Sequence, residues 1–249
     1  MLKAIGFDLF NTLMVVHPNA LNVALGRLVD TLLRTGLSLP PERFLEVHNQ
    51  CAVSHIKEAK ATGRETHNRI WISEALKAFN YHLDPHGEII GEAVESYFSA
   101  FYELSSVIPG THLILGELKN RYKLALVSNF THYPACIRIL ERLGLRYYFD
   151  FLLISGEFGF RKPHPSVFDM MVHNLGVRRE EVIFVGDDPE SDVKGALMAG
   201  IRPVWSSYVL DQRIPFTPGY VAYTVRPEEV PGYRISTWND LKALLESLE

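Results

Sequence analysis

Four aspartates and one lysine stand where they could act together. Asp8 ends the first apolar run of the chain, Ile5-Gly6-Phe7-Asp8-Leu9, so that a single carboxylate emerges from the carboxyl end of a buried strand. In open parallel sheets that edge is where ligands bind, and a carboxylate there can serve as a covalent nucleophile; the plainer reading is a helix or turn cap. Lys162 lies in Gly159-Phe160-Arg161-Lys162-Pro163-His164-Pro165. The residue before a proline is pushed toward extended backbone, so this lysine projects stiffly. A cation held beside a nucleophilic carboxylate would keep it ionised and neutralise an anionic substrate; otherwise it is a solvated surface lysine.

The remaining acids share one strand-to-helix turn, Gly186-Asp187-Asp188-Pro189-Glu190-Ser191-Asp192. Asp188, followed by Pro and Glu, suits a helix N-cap. Asp187 has less structural excuse. If it converges with Asp8 the two repel unless a hard divalent cation lies between them, and Mg²⁺ takes one or two carboxylates together with phosphate oxygens. Asp192, one turn into the helix, could brace that site or the lysine. Ser128-Asn129 places a hydroxyl and an amide just after the apolar run Leu124 to Val127, where an ordinary turn is the competing explanation.

These residues need a scaffold that brings strand ends together. From about Asn19 to Leu104 the apolar period is helical. Leu21, Leu25, Leu28 and Leu32 mark a first helix stopped by Gly36; Phe44, Val47, Cys51 and Ile56 a second; Ile72, Ala75, Leu76 and Phe79 a third; Ile90 to Phe101 a fourth. Beyond Pro109-Gly110 helices alternate with short apolar strands at Leu124 to Val127, Phe151 to Ile154, Val182 to Val185 and Pro203 to Trp205. With residues 2 to 9 as one more strand, the pattern predicts an α/β fold. It consists of a Rossmann-like parallel-sheet core (residues 1–15 and 105–249) with a helical bundle (residues 16–104) inserted after the first strand. The stretch from Asp211 to Gly232 is rich in loop formers.

Composition narrows the function classes. With 249 residues, 47% apolar and 22% charged, the chain can bury a sizeable core, and a net charge of −4 gives no basic face for nucleic acid. Apolar runs are interrupted by charge well before about 18 residues, and the N-terminus carries no leader pattern, so a cytoplasmic protein with small-molecule partners is expected, without nucleic acid or membrane. Cys51 and Cys136 lack metal-ligand or redox spacing and read as buried thiols. None of the ten histidines forms a ligand pair on one helix face, and the tryptophans Trp71, Trp205 and Trp238 are read as core or seam fillers rather than substrate platforms.

Taken together, Asp8…Thr12, Ser128-Asn129, Lys162-Pro163 and Gly186-Asp187 followed by Asp192 resemble, in order and spacing, the haloacid dehalogenase-like hydrolase superfamily, and the position of the helical insert resembles that of its C1 caps. The resemblance implies an aspartyl-enzyme intermediate on Asp8. Ser128 or Asn129 would hydrogen-bond the transferring group, with Thr12 and Asn129 on the substrate side. Lys162 would neutralise charge, and Mg²⁺ would be held by Asp8, Asp187 and the main-chain carbonyl of Phe10, with Asp188 and Asp192 behind. Arg64, in the segment where such families place specificity contacts, would meet the substrate anion. One position departs from the phosphatase pattern. Phosphatases of the family carry a second aspartate two residues after the nucleophile, as general acid and base, and here Phe10 stands there. The expectation is a Mg²⁺-dependent phosphoryl hydrolase acting on a substrate that needs little leaving-group protonation. The alternatives are a metal-independent 2-haloacid dehalogenase-like hydrolase, which Phe10 suits, and a relative that only binds.

Overall fold

In the computed structural model, which describes residues 1–214 and 229–248, strand β1 (Ala4–Phe7) leads through a tight turn into a short strand β2 (Met14–Val16). The helices α1 (Ala20–Arg34), α2 (Pro41–Thr62), α3 (Asn68–Lys77) and α4 (Glu88–Glu103) follow. Strand β3 (Ser105–Val107) returns antiparallel against β2, so the helices hang from a two-stranded ribbon. The chain then runs α5 (Thr111–Lys119), β4 (Lys123–Ser128), α6 (Tyr133–Arg142), β5 (Phe151–Ile154), α7 (Ser155–Phe158) and α8 (Pro165–Leu175). It ends with β6 (Val182–Gly186), a π-helical turn (Pro189–Lys194), α9 (Gly195–Met198), β7 (Arg202–Ser206), α10 (Tyr208–Asp211), β8 (Tyr233–Ile235) and α11 (Trp238–Ser247).

The six sheet strands are all parallel, in the order β5-β4-β1-β6-β7-β8. Ile5 pairs with Leu124 on one side and Ile183 on the other. β1 therefore sits where the winding reverses, and its carboxyl end opens the crevice that such sheets use for ligands. The central strands are buried on both faces, which is why they read as near-continuous apolar runs. Their alternation still decides the layers. Ala4, Ala125, Val127, Val182 and Phe184 face a cluster with Val167, Phe168 and Met171 of α8. Ile5, Phe7, Leu124, Leu126, Ile183 and Val185 face the larger core, with Ile114, Ile139 and Leu241 of α5, α6 and α11. A Cβ on Gly6 would lie 2.6 Å from Met171 Sδ and from the Phe184 ring, so only glycine lets α8 seat against the central strand.

The larger cluster runs on through Leu9, Phe10, Leu13 and Met14 into Ala24 and Leu28 of α1 and Phe98 and Phe101 of α4. In the insert, α1 and α4 are joined by Arg27–Glu103 at 2.5 Å and by Thr31 Oγ1 donating to Ser96 Oγ at 2.8 Å. Three features go beyond the sequence reading. The β2–β3 ribbon and β8 add three strands, each three residues long and too short to carry a period. The third helix ends at Lys77, leaving Phe79 in the following turn. Most of the loop-rich stretch from Asp211 to Gly232 lies outside the described residues. Among the described residues no helix is long and apolar enough to cross a membrane.

Polar contacts close the seam between insert and core. Glu65 accepts from Ser155 Oγ at 2.6 Å and pairs with Arg161 at 3.1 Å, while Glu65 N–H donates to Gly159 O and Arg161 N–H to Gly63 O. On the α4 side, His132 Nε2 meets Glu95 Oε1 at 2.8 Å and its Nδ1 lies 3.1 Å from His67 Nε2; Arg138 adds a 2.6 Å pair to Glu95. Burial, with Arg69, His132 and His86 nearby, pushes His67 down to about 3, and burial lowers His132 despite Glu95. Both rings are neutral at pH 7, while in the unfolded chain they titrate near 6.5. Stability from His67 is thus complete above about pH 6.5 and drains away as the pH falls toward 3, with His132 acting in the same direction, because only the unfolded chain takes up the protons. A series of thermal melts from pH 7.5 to 4 should show a falling midpoint, with a smaller fall in His67→Gln; identical slopes would place the acid sensitivity elsewhere.

Candidate active site

The turn leaving β1 fixes the first site residue. Asp8 N–H donates to Val185 O at 2.9 Å, continuing the sheet by one residue, and Leu13 and Met14 N–H groups both return to Leu9 O. Asn11 takes the left-handed φ of +58° that this reversal needs, a conformation asparagine tolerates better than most residues. The Asp8 carboxylate is thereby left at the sheet's carboxyl edge, only 7% exposed.

Lys162 crosses to it from the loop between α7 and α8. Its Nζ donates to Asp8 Oδ1 at 2.6 Å and to Val127 O at 2.7 Å, and forms an ion pair with Asp192 Oδ1 at 2.7 Å. Asn129 holds the lysine's backbone at both ends: Lys162 N–H donates to Asn129 Oδ1 at 2.8 Å and Asn129 Nδ2 donates to Lys162 O at 3.0 Å. The Lys162–Pro163 peptide is cis. Burial works against the ammonium, but Asp192 and Asp8 outweigh it and hold Lys162 above its usual range.

The third element is the turn after β6. Asp188 caps the π-helical turn, accepting from Glu190 N–H at 2.9 Å and Ser191 N–H at 3.1 Å. Asp192 turns back toward the strand, its Oδ2 accepting from Asp188 N–H at 3.0 Å. Gly186 makes room for it, since a Cβ there would lie 2.3 Å from the Asp192 carboxylate. Asp187 is placed by its own carbonyl, which accepts from Trp205 Nε1 at 2.9 Å, and Thr12 Oγ1 donates to Asp187 Oδ1 at 3.4 Å.

Asp8, Asp187 and Asp192 are all buried and offer oxygens within 4.8 Å of one another. Three carboxylates against one lysine leave excess negative charge in a low-dielectric place. Burial, then Asp8, Asp192 and Asp188, push Asp187 well above the usual carboxylate range; burial raises Asp8 despite Lys162, and Asp192 is pushed up to about 7. A hard oxygen donor set that cannot ionise fully on its own fits a divalent cation such as Mg²⁺.

These groups open into a cavity of about 230 Å³ between core and insert. Asp8, Phe10, Ser128, Asn129, Lys162, Asp187, Asp188 and Asp192 all line it, while Thr12 lies beneath Asp187. Ser128 Oγ is buried without a hydrogen-bond partner among the described residues, a donor aimed at whatever fills the cavity. Arg64 is not brought to it: its guanidinium lies 5.6 Å from the centroid of the Phe160 ring and its backbone bridges to Phe160. Trp71, read as a core or seam filler, is buried at the seam, where it lines the cavity with its Nε1 donating to Thr66 Oγ1. Sequence reasoning missed Tyr97, Phe98 and Phe130 as cavity residues. Phe130, two residues beyond Ser128, was within reach of the strand-end argument. The insert residues show only a helical period, which marks a buried face without saying what it is buried against.

Comparison with known proteins adds the following. A family model described as haloacid dehalogenase-like hydrolase matches residues 2–200. The chain is 31% identical over 157 residues to the pyrimidine 5'-nucleotidase YjjG of Escherichia coli, covering 62% of this chain and 64% of that protein, just under two thirds of its length. It is 30% identical over 209 residues to the ribulose-1,5-bisphosphate 5-phosphatase of Halopiger xanaduensis, covering 82% and 84%. In fold it superimposes on a 2-haloacid dehalogenase from Pseudomonas syringae pv. Tomato with a TM-score of 0.73 over the whole of both chains, at 22% identity.

The crowding at Gly186 yields a test of the lysine's setting. Gly186→Ala should displace Asp192 and unfasten one side of Lys162, costing roughly 1–3 kcal/mol of stability as overpacking in a rigid site does. Urea unfolding of the purified variant measures it; wild-type stability would show that Asp192 is free to move aside.

Proposed function

This chain belongs to the haloacid dehalogenase-like hydrolase family, and from that premise we propose that it is a Mg²⁺-dependent phosphoryl hydrolase acting on a small anionic substrate through an aspartyl-phosphate on Asp8. The observation that carries the reading is the charge imbalance: three buried carboxylates converge where one lysine is already shared between two of them. Such a cluster costs stability unless a cation completes it. The names of the sequence relatives, a 5'-nucleotidase and a bisphosphate phosphatase, support the same reading.

Asp8, Asp187 and the carbonyl of Phe10 would hold the metal, leaving Asp192 as the partner of Lys162. When bound, Mg²⁺ supplies neutralisation of charge on the phosphoryl oxygens. Lys162 favours the ionised form of Asp8 against its burial and adds its positive charge beside the incoming phosphoryl group. Ser128 Oγ donates to a phosphoryl oxygen, and Asn129 acts by fixing Lys162, to whose backbone both ends of its amide are bound. An Asp8 oxygen forms a bond to phosphorus as the bond to the leaving oxygen breaks, that oxygen departing with the electron pair. Water then cleaves the acyl phosphate, releasing phosphate and restoring the carboxylate.

Phe10 shapes what can leave. Its ring stacks on Phe130 with centroids 5.1 Å apart, and it cannot give a proton. A general acid is worth about 10² to 10⁴ in rate, so the preferred leaving group is one that departs unprotonated. The same ring supports a second reading, dehalogenase-like displacement of halide from a small 2-haloacid, since halide needs no proton.

Acetyl phosphate, p-nitrophenyl phosphate and 2-chloropropionate, each assayed with Mg²⁺ and with EDTA, separate the two. Phosphate release that requires Mg²⁺ and vanishes in Asp8→Asn is the expected result, and chloride release in EDTA would replace it with the dehalogenase reading. Phe10→Asp should raise turnover of an alkyl phosphate by at least tenfold; no gain would mean that the missing acid is not what limits the enzyme.

A further inference from the structure

The cavity walls say what kind of leaving group the site accepts. From the insert come Ile56, Lys60, Asn68, Trp71, Tyr97 and Phe98. No carboxylic acid or imidazole is among them, so the insert brings no second carboxyl group in place of the one that Phe10 replaces; the titratable side chains it does bring are Lys60 and Tyr97. Asp188 is spent on capping, its Oδ1 accepting two main-chain N–H groups and its Oδ2 the Ser191 hydroxyl at 3.0 Å. What the walls offer instead is aromatic surface from both sides. Phe10 and Phe130 lie nearly parallel, 13° apart, on the core side; Phe98 leans on Phe130 at 5.2 Å and 58°; Trp71 and Tyr97 complete the lining. Trp71 is fixed by its bond to Thr66, and Asn68 by a hydrogen bond from Thr131 Oγ1, so the lining is preorganised rather than loose.

We infer that the substrate is an aryl phosphate monoester, its ring set among these aromatic side chains and its phosphoryl group at Asp8. This rests on the phosphoryl-hydrolase reading and deepens it. Two independent features converge on the same chemistry. A phenol has a pKa of about 10, against about 15.7 for water, so a phenolate leaves from phosphorus with its electron pair and collects its proton afterwards from solvent. That is the leaving group suited to a site whose turn after Asp8 carries Phe10 in place of a carboxylic acid. A flat ring also suits a cavity lined by aromatic faces and edges, where each well-placed aromatic pair gains about 2- to 10-fold in affinity beyond burial alone.

The test separates ring recognition from leaving-group chemistry. Phenylphosphonate and cyclohexylphosphonate, which cannot be hydrolysed, are compared as inhibitors of acetyl phosphate turnover by the Mg²⁺-loaded enzyme. Phenylphosphonate should bind at least fivefold tighter; equal inhibition would overturn the inference. In parallel, kcat/KM is measured for phenyl phosphates of graded leaving-group pKa and for cyclohexyl phosphate. A steep rise with leaving-group acidity is expected, with cyclohexyl phosphate slower than phenyl phosphate by 100-fold or more. Trp71→Leu should lower the ratio of phenyl to cyclohexyl phosphate turnover at least threefold, whereas a general loss of folding would lower both and keep the ratio; an unchanged ratio would count against the ring's place in the cavity. Hydrolysis of acetyl phosphate without hydrolysis of any phenyl phosphate would sink the aryl inference and leave the phosphoryl reading standing. Turnover of neither would remove both.

Discussion

The ammonium of Lys162 is the interaction on which the rest of the site depends. It lies 1% exposed between Asp8 and Asp192, with a main-chain carbonyl of β4 as its third partner. Burying a charge is tolerable only when it is paired and fully hydrogen-bonded, and removing one member of such a group leaves the others uncompensated. The strand order serves this requirement directly. β1 brings Asp8, its neighbour β4 brings Val127 O and Asn129, and its other neighbour β6 brings the turn with Asp187 and Asp192. Three adjacent parallel strands end at one level, and the lysine reaches that level from a loop whose backbone Asn129 clamps.

That arrangement explains why a modest set of residues cannot vary independently. Gly186 is small because Asp192 occupies the space a side chain would need. Trp205 on β7 anchors the Asp187 carbonyl, so a tryptophan that reads as core filler also sets the aim of a carboxylate. Asp187 is buried beside Asp8 and Asp192, which already share the one ammonium, and burial first, then those neighbouring carboxylates, push its carboxyl well up. A site whose own residues cannot settle its charge is built for something that arrives with positive charge.

Much of this was legible because parallel sheets convert sequence order into spatial coincidence. Each polar group at the end of an apolar strand is carried to the same edge, so Asp8, Ser128 and Asp187 could be placed together from their positions after strands alone. Asp188 as a cap was equally readable, because capping is local. What was not readable depends on packing across the chain. Arg64 carries the right charge for an anion, yet the backbone pairing of its segment with Phe160 turns it onto a ring instead. Trp71 and Phe98 lie on helix faces whose period announces burial, and only the docking of the insert decides whether that burial is against core or cavity. The β2–β3 ribbon is too short to show a period at all.

The division of labour between core and insert follows from how they are joined. The core holds Asp8, Lys162 and the carboxylates around them, and the insert closes the other side of the cavity with Ile56, Lys60, Asn68, Trp71, Tyr97 and Phe98. Besides the apolar cluster that runs from the turn after Asp8 into α1 and α4, they are joined by the ribbon, the Glu65 contacts to Ser155 and Arg161, and the His132–Glu95–Arg138 cluster. The side chains of Glu65, Ser155 and His132 are buried in these contacts, which set the position of the walls relative to the sheet. Changes in α2, α3 or α4 can therefore reshape the cavity around a leaving group while leaving the lysine and its carboxylates undisturbed. Phe10 is the exception, because it belongs to the core turn that carries Asp8 and its ring also forms part of the wall. At that one position the choice of side chain decides both whether a proton can be given and what shape the leaving group meets, which couples the chemistry of departure to the recognition of what departs.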